Sequence, residues 1–183
     1  MSRDSGDSTH DKLIALFLSY LSDTAHVLDV GCAAGGDSLY FKENGRTVTA
    51  IDTFLPLCES ASKRLSQEVR CAGVRDVDYV EEFDGIWVSG EFVHIETHEF
   101  EDVVSRLAVA LKPEGLLYVG LRAGEFVEES EKDVLRFNKQ EAREAFRKTG
   151  KFDVIECLWR DYTVDGDKDA WLHLFLRRKA WIL

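Results

Sequence analysis

Apolar positions in this chain fall into short continuous runs separated by amphipathic stretches, and the two patterns alternate along its length. Leu13, Leu16, Phe17, Tyr20 and Leu21 recur at helical spacing, predicting an amphipathic helix from Asp11 that stops near Ser22-Asp23. A strand is expected over residues 26–30, then a glycine turn and a helix over 36–43 that ends at Asn44-Gly45, a common helix stop. The alternation continues with a strand over 47–51, a helix over 56–67 with Pro56 in its first turn, and a short strand over 68–72. Further on come a strand over 83–89, a helix over 99–111, a strand over 115–121 and a last helix over 139–149. Such alternation predicts an α/β fold, a doubly wound and mostly parallel sheet with both faces covered.

Composition narrows the partners. Residues 1–10 are polar and read as a disordered tail, leaving residues 11–183 as one domain long enough to bury a full core. The formal charge of −11, from 34 acidic against 23 basic residues, disfavours nucleic acid. Arg177-Arg178-Lys179 is the one basic triplet, expected as solvated charge after the last strand. The 4 cysteines, Cys32, Cys58, Cys71 and Cys157, lack CxxC or metal spacing and fit reduced thiols in the cytoplasm. No signal peptide or membrane-length apolar run is evident, so no membrane association is expected. Trp87, Trp159, Trp171 and Trp181 sit among apolar neighbours and read as packing residues.

The chemistry concentrates at strand ends. In VLDVGCAAG the strand carrying Asp29 runs into a turn at Gly31 and Gly35, where the backbone can bend sharply and come close to a ligand. The next strand ends on Asp52, and a carboxylate there can accept from both hydroxyls of a ribose. The Gly-x-Ala-x-Gly spacing differs from the dinucleotide pattern and suits a ligand without a pyrophosphate.

Four blocks stand in order: VLDVGCAAGGDSLYF (27–41), VTAIDTF (48–54), RDVDYVEEFDGIWVSGEFVHI (75–95) and LKPEGLLYVGL (111–121). Together they resemble the class I S-adenosylmethionine-dependent methyltransferases, in particular small single-domain members with a motif like FDGIWACASLLHV. The resemblance implies a Rossmann-like, seven-stranded sheet closed by an antiparallel hairpin over 152–159 and 171–178, and S-adenosylmethionine as cofactor. It implies a cofactor site at Asp29, Gly31, Cys32, Ala33 and Gly35, continuing through Asp52, Thr53 and Phe54 to Asp76, Val77 and Ser89. Within it Asp52 would hold the ribose and Phe54 would lie against adenine. Asp76 would accept from the adenine amino group, the Val77 N–H would meet a ring nitrogen, and Gly31 and the Ser89 backbone would face the methionine half.

Catalysis of methyl transfer rests largely on alignment, with a base only where the acceptor must lose a proton. His94, at the end of the third block, is the candidate base, with a loop hydrogen bond as its alternative role. Glu91 stands where the related motif has a small residue, and is expected either to pair with a cationic acceptor or to point into solvent. Arg122 is expected to bind an acidic acceptor or to form a surface ion pair. The cluster Glu91, His94, Glu96, His98 and Glu99 has no recognisable ligand spacing, so no metal is expected.

Two departures stand out. Gly36 replaces the arginine with which relatives reach the methionine carboxylate, and the segment that relatives fold over the cofactor is expected to be missing or very short. An open cleft would admit a large acceptor, a protein partner or a second subunit. The apolar residues 180–183 could dock on a neighbour or fold back onto the sheet edge. Three functions follow: methyl transfer to an O, N, S or C nucleophile of a small molecule, which is favoured; a cofactor-binding subunit that scaffolds or activates a partner; and non-methylating chemistry of the sulfonium. The acceptor pocket is expected in loops 91–98, 122–138 and 160–170.

Overall fold

The computed structural model describes residues 9–124, 135–164 and 167–180. Five helices, α1 (Thr9–Ser19), α2 (Gly36–Glu43), α3 (Leu55–Leu65), α4 (Phe100–Ala110) and α5 (Lys139–Lys148), pack on one sheet. Its strands are β1 (His26–Val30), β2 (Thr47–Asp52), β3 (Arg70–Cys71), β4 (Phe83–Ser89), β5 (Leu111–Ala123), β6 (Arg136–Phe137), β7 (Phe152–Val164) and β8 (Asp167–Arg178). They are ordered β3-β2-β1-β4-β5-β8-β7, so the expected seven-strand path is present, and the two-residue β6 adds a short pairing on β5. β3 through β5 run parallel, and β8 and β7 close the sheet antiparallel.

Side chains alternate between the two faces, and each face builds its own core. Leu28, Val30, Ile86, Val88, Leu117 and Val119 point to the layer of α4 and α5. Val27, Trp87, Leu116 and Tyr118 point to that of α1, α2 and α3. Burial on both sides is why these strands read as continuous apolar runs. The second core centres on Trp87, which stacks on Tyr118 with ring centroids 3.7 Å apart and meets the edges of Phe17 and Phe41 at 5.1 and 5.8 Å.

Several expected boundaries move for physical reasons. Thr9 and His10, assigned to a disordered tail, open α1, where His10 Nε2 lies 2.9 and 3.0 Å from the two carboxylate oxygens of Asp37. β3 shrinks to two residues because only Arg70 and Cys71 pair with β2. β5 begins at Leu111, which pairs with Phe83; the register then shifts, leaving Lys112, Pro113 and Glu114 to a bulge in which Glu114 has φ 63°. The hairpin strands run several residues past their expected ends, since pairing continues to Val164 and Asp167.

The basic triplet is not a solvated edge. Arg178 is 4% exposed, and its guanidinium donates to the Leu111 carbonyl at 2.6 Å and to Glu81 at 2.9 Å. Arg177 donates to the Glu114 carbonyl. The two arginines therefore fasten β8 to the bulged start of β5. Residues 1–8 of the expected tail, and Trp181 with the rest of 181–183, lie outside the described residues.

Candidate functional site

The strand order reverses at β1, with β2 on one side and β4 on the other, and in open α/β sheets ligands sit in the crevice beyond the strand ends at that point. The turn after β1 is wound by left-handed residues at every second position: Gly31 (φ 75°), Ala33 (φ 48°) and Gly35 (φ 77°). Glycine adopts this backbone freely, whereas Ala33 is strained by about 1–2 kcal/mol. It is held there because its N–H donates to Asp52 Oδ2 at 2.9 Å. The Gly31 and Cys32 N–H groups both donate to the Ile51 carbonyl, at 2.9 and 3.0 Å. The turn is thus laced to the end of β2.

Asp52 itself is 8% exposed, and its Oδ1 accepts the Phe54 N–H at 2.9 Å. Each of its oxygens retains a further acceptor site. Beside it Phe54 and Leu55 are 59% and 57% exposed, large apolar side chains left open at a strand end. Thr53 packs against Gly73, where an added Cβ would lie 2.7 Å from its Cγ2. Asp76 is exposed, and its Oδ2 accepts the Gly73 N–H at 2.8 Å, closing its own turn; Val77 after it is buried. Asp52 ends β2, Phe54 follows it, and Asp76 closes the short turn after β3, the strand paired with β2.

Beneath the turn the environment is acidic. Asp29 is 2% exposed and accepts the Ser38 hydroxyl at 2.6 Å; burial, reinforced by nearby Asp37, pushes its carboxyl up to about 7. Cys32 is buried as well, and desolvation first, then Asp29 and Asp52, push its thiol far up. It is a packed thiol and not a nucleophile.

On the β4 side Ser89 is exposed and Gly90 turns the chain at φ 105°. Glu91 does not point into solvent. It folds back over the β1 turn, so that a Cβ added to Gly31 would lie 2.5 Å from both its Cγ and its Oε1. Burial raises its carboxyl above the usual range, Asp52 adds to this, and His94 and Arg75 oppose it. His94 is exposed, and it is its backbone carbonyl that bonds the loop, accepting from Arg75 at 2.8 Å. Arg75 also binds Glu99 at 2.6 Å, and Glu96 lies 3.2 Å from His98. Among the described residues no three His, Cys, Asp or Glu side chains converge to hold a metal. Arg122 faces Asp169 across 3.8 Å.

Sequence reasoning missed Arg64. It sits in the last turn of α3, where a cation ordinarily complements the helix dipole, yet its Nη1 lies 3.8 Å from where a Cβ on Gly36 would stand. The place left by the absent arginine thus has a guanidinium beside it from the next helix. Also missed was a buried polar pair, Tyr118 Oη and His173 Nδ1 at 2.8 Å. Desolvation, aided by Arg160 and His10, lowers the His173 ring to about 4. An added Cβ on Gly120 would be 3.8 Å from the Tyr118 hydroxyl and 3.6 Å from the Gly90 nitrogen, so the pair lies behind the β4 and β5 ends. Neither contact has a local sequence signal. A cleft of about 860 Å³ lies between α4 and α5, with Thr97, Phe100, Phe137 and Glu144 in its wall. It contains none of the strand-end acids, and the chemistry points to the crevice at β1.

Comparison with known proteins bears on the family and the fold. Residues 27–115 match the family model described as a methyltransferase domain. A curated protein of Staphylococcus carnosus described as an uncharacterized methyltransferase is 29% identical over 104 residues, 56% of this chain. The match spans about half, 50%, of that relative's length. A crystal structure of 1,6-didemethyltoxoflavin-N1-methyltransferase from Burkholderia thailandensis, with bound 1,6-didemethyltoxoflavin and S-adenosylhomocysteine, superposes with a TM-score of 0.77 at 22% identity. It covers 92% of this chain and 77% of that one. The [4+2]-cyclase SpnF superposes with a TM-score of 0.74 at 16% identity, covering 98% and 85%.

Proposed function

We propose that this chain, whose fold and whose match over residues 27–115 are those of a class I methyltransferase domain, binds S-adenosylmethionine in the crevice at β1 and transfers its methyl group to an O, N, S or C nucleophile of a small molecule. The observation that carries the reading is the left-handed turn at Gly31, Ala33 and Gly35, tied to an Asp52 that keeps acceptor capacity on both oxygens. These residues fit the cofactor. Asp52 can take the ribose hydroxyls, exposed Phe54 offers an apolar face for adenine, and Asp76 keeps one oxygen for its amino group. When bound, S-adenosylmethionine supplies an already activated methyl group. The protein's part is to hold the acceptor in line and, where needed, to remove its proton. The test is calorimetric titration with S-adenosylmethionine and S-adenosylhomocysteine; a folded chain that binds neither rejects the reading.

Arg64 takes the amino-acid carboxylate in place of the arginine absent at Gly36. Removing one charge-assisted contact at a partly exposed site is expected to weaken binding about tenfold. Arg64→Ala should therefore weaken both S-adenosylmethionine and S-adenosylhomocysteine, and leave 5′-methylthioadenosine, which lacks the carboxylate, unchanged. Equal losses for all three ligands would reject the assignment.

The exposed His94 ring stands on the loop beyond β4, where an acceptor would approach, and serves as general base for acceptors that must lose a proton. With an acceptor found by transfer of labelled methyl, His94→Ala is expected to lower turnover about 100-fold, the lower end for a lost general base. Cofactor affinity should stay within about twofold. Parallel losses of affinity and turnover would make His94 structural.

A further inference from the structure

The side chain of Glu91 is unexplained by the site described so far. Its carboxylate lies against the Cα of Gly31, at the β1 end of the crevice, although it is carried by the turn after β4. It therefore bridges the ends of β4 and β1 at Gly31, the residue that the donor-site reading sets against the methionine half. Asp52 faces it from β2, His94 from its own turn, and Arg75 from the loop after β3. Among the described residues no hydrogen bond or salt bridge reaches its carboxylate. A half-buried acid that has shed water without gaining a hydrogen bond is costly to the free protein, and a cation in contact with it would offset more of that cost than the more distant His94 and Arg75 do. Arg64, beside α2, is the cation available to the donor's own carboxylate. Glu91 thus has a positive charge to meet, and the donor carries one that its demethylated product does not.

We propose that Glu91 is a charge selector: its carboxylate faces the sulfonium, so that the crevice holds S-adenosylmethionine and lets go of the neutral thioether S-adenosylhomocysteine. This rests on the donor-site reading above. Both molecules share the adenosine, the α-ammonium and the α-carboxylate, and they differ only in the methyl group and in the charge on sulfur. A preference that depends on Glu91 must then come from the sulfonium. Methyl transfer removes that charge, so the site weakens its hold on the product at the moment the product forms.

The experiment is calorimetric titration of the wild-type chain, Glu91→Gln and Glu91→Ser with three ligands: S-adenosylmethionine, S-adenosylhomocysteine, and sinefungin, which carries a protonated amine in place of the sulfonium. The wild type is expected to bind both cationic ligands about tenfold more tightly than S-adenosylhomocysteine, the scale of one partly solvated charge pair. In both variants that ratio should fall to near one, through loss of affinity for the cationic ligands alone. Circular dichroism confirms that each variant is folded, and the glutamine variant preserves the volume at Gly31. An unchanged ratio overturns the proposal. So does an equal weakening of all three ligands, which would assign the carboxylate to the shared ammonium, and so does an equal tightening, which would make Glu91 only a steric plug. If the folded wild type binds none of the three, the donor-site reading falls, and this inference falls with it.

Discussion

Replacing Asp52 with alanine is expected to abolish measurable S-adenosylmethionine binding, with a loss of at least about 100-fold. Two effects combine. The ribose loses acceptors whose hydrogen bonds, being to a charged group, are worth about 1.5–3 kcal/mol each. The turn also loses its fastening, since Ala33 and Phe54 both donate to this carboxylate. Without it, strained Ala33 is free to relax, and the backbone that should approach the ligand moves away. The two effects can be separated. Against the wild type, S-adenosylhomocysteine lacking the 2′-hydroxyl should bind about tenfold more weakly than the parent, whereas against an Asp52→Asn variant that retains measurable affinity the difference between the two ligands should shrink. Unchanged affinity in Asp52→Ala would remove the ribose from this position.

The second large effect falls on stability. Trp87→Ala is expected to cost about 4 kcal/mol in urea unfolding, seen as a lower midpoint at constant m. Trp87 has 0% exposure and stacks on Tyr118 between the rings of Phe17 and Phe41. Its indole N–H also donates to Asp37 at 3.1 Å, the same carboxylate that anchors His10. The substitution opens a cavity, breaks a stack and leaves a partly buried acid short of a donor. Trp87→Phe should recover most of the loss, because it restores the apolar volume but not the indole N–H. A cost below about 1 kcal/mol for the alanine variant would mean that this side of the sheet collapses to fill the space.

What could be read from the sequence was what local chemistry decides. β1, α2 and β4 follow from apolar runs bounded by glycine or polar residues, and their limits coincide with the expected ones. The switch-point acids were legible because strand ends are marked by a loss of hydrophobicity. Ala33 was legible as part of the glycine turn but not as a strained residue, since its φ is imposed by a carboxylate nineteen positions away in sequence. The direction of Glu91 and the reach of Arg64 depend on which side chains face each other across β1, α2 and α3. No spacing rule carries that information. Arg178 was misread for a similar reason: a basic run after a strand is usually solvated, but here the bulge at β5 leaves carbonyls that need donors.

The insertion of β8 between β5 and β7 sets an order on synthesis. β5 completes its pairing with β4 early, but its other edge, from Leu116 to Arg122, waits for Trp171 to Arg177 to arrive. Until then a growing chain on the ribosome carries a long apolar strand with one row of unpaired amides and carbonyls, the kind of edge to which nascent chains aggregate and chaperones bind. The proposed donor crevice, whose residues all lie in the strands, helices and loops before β5, can take shape while that edge is still open.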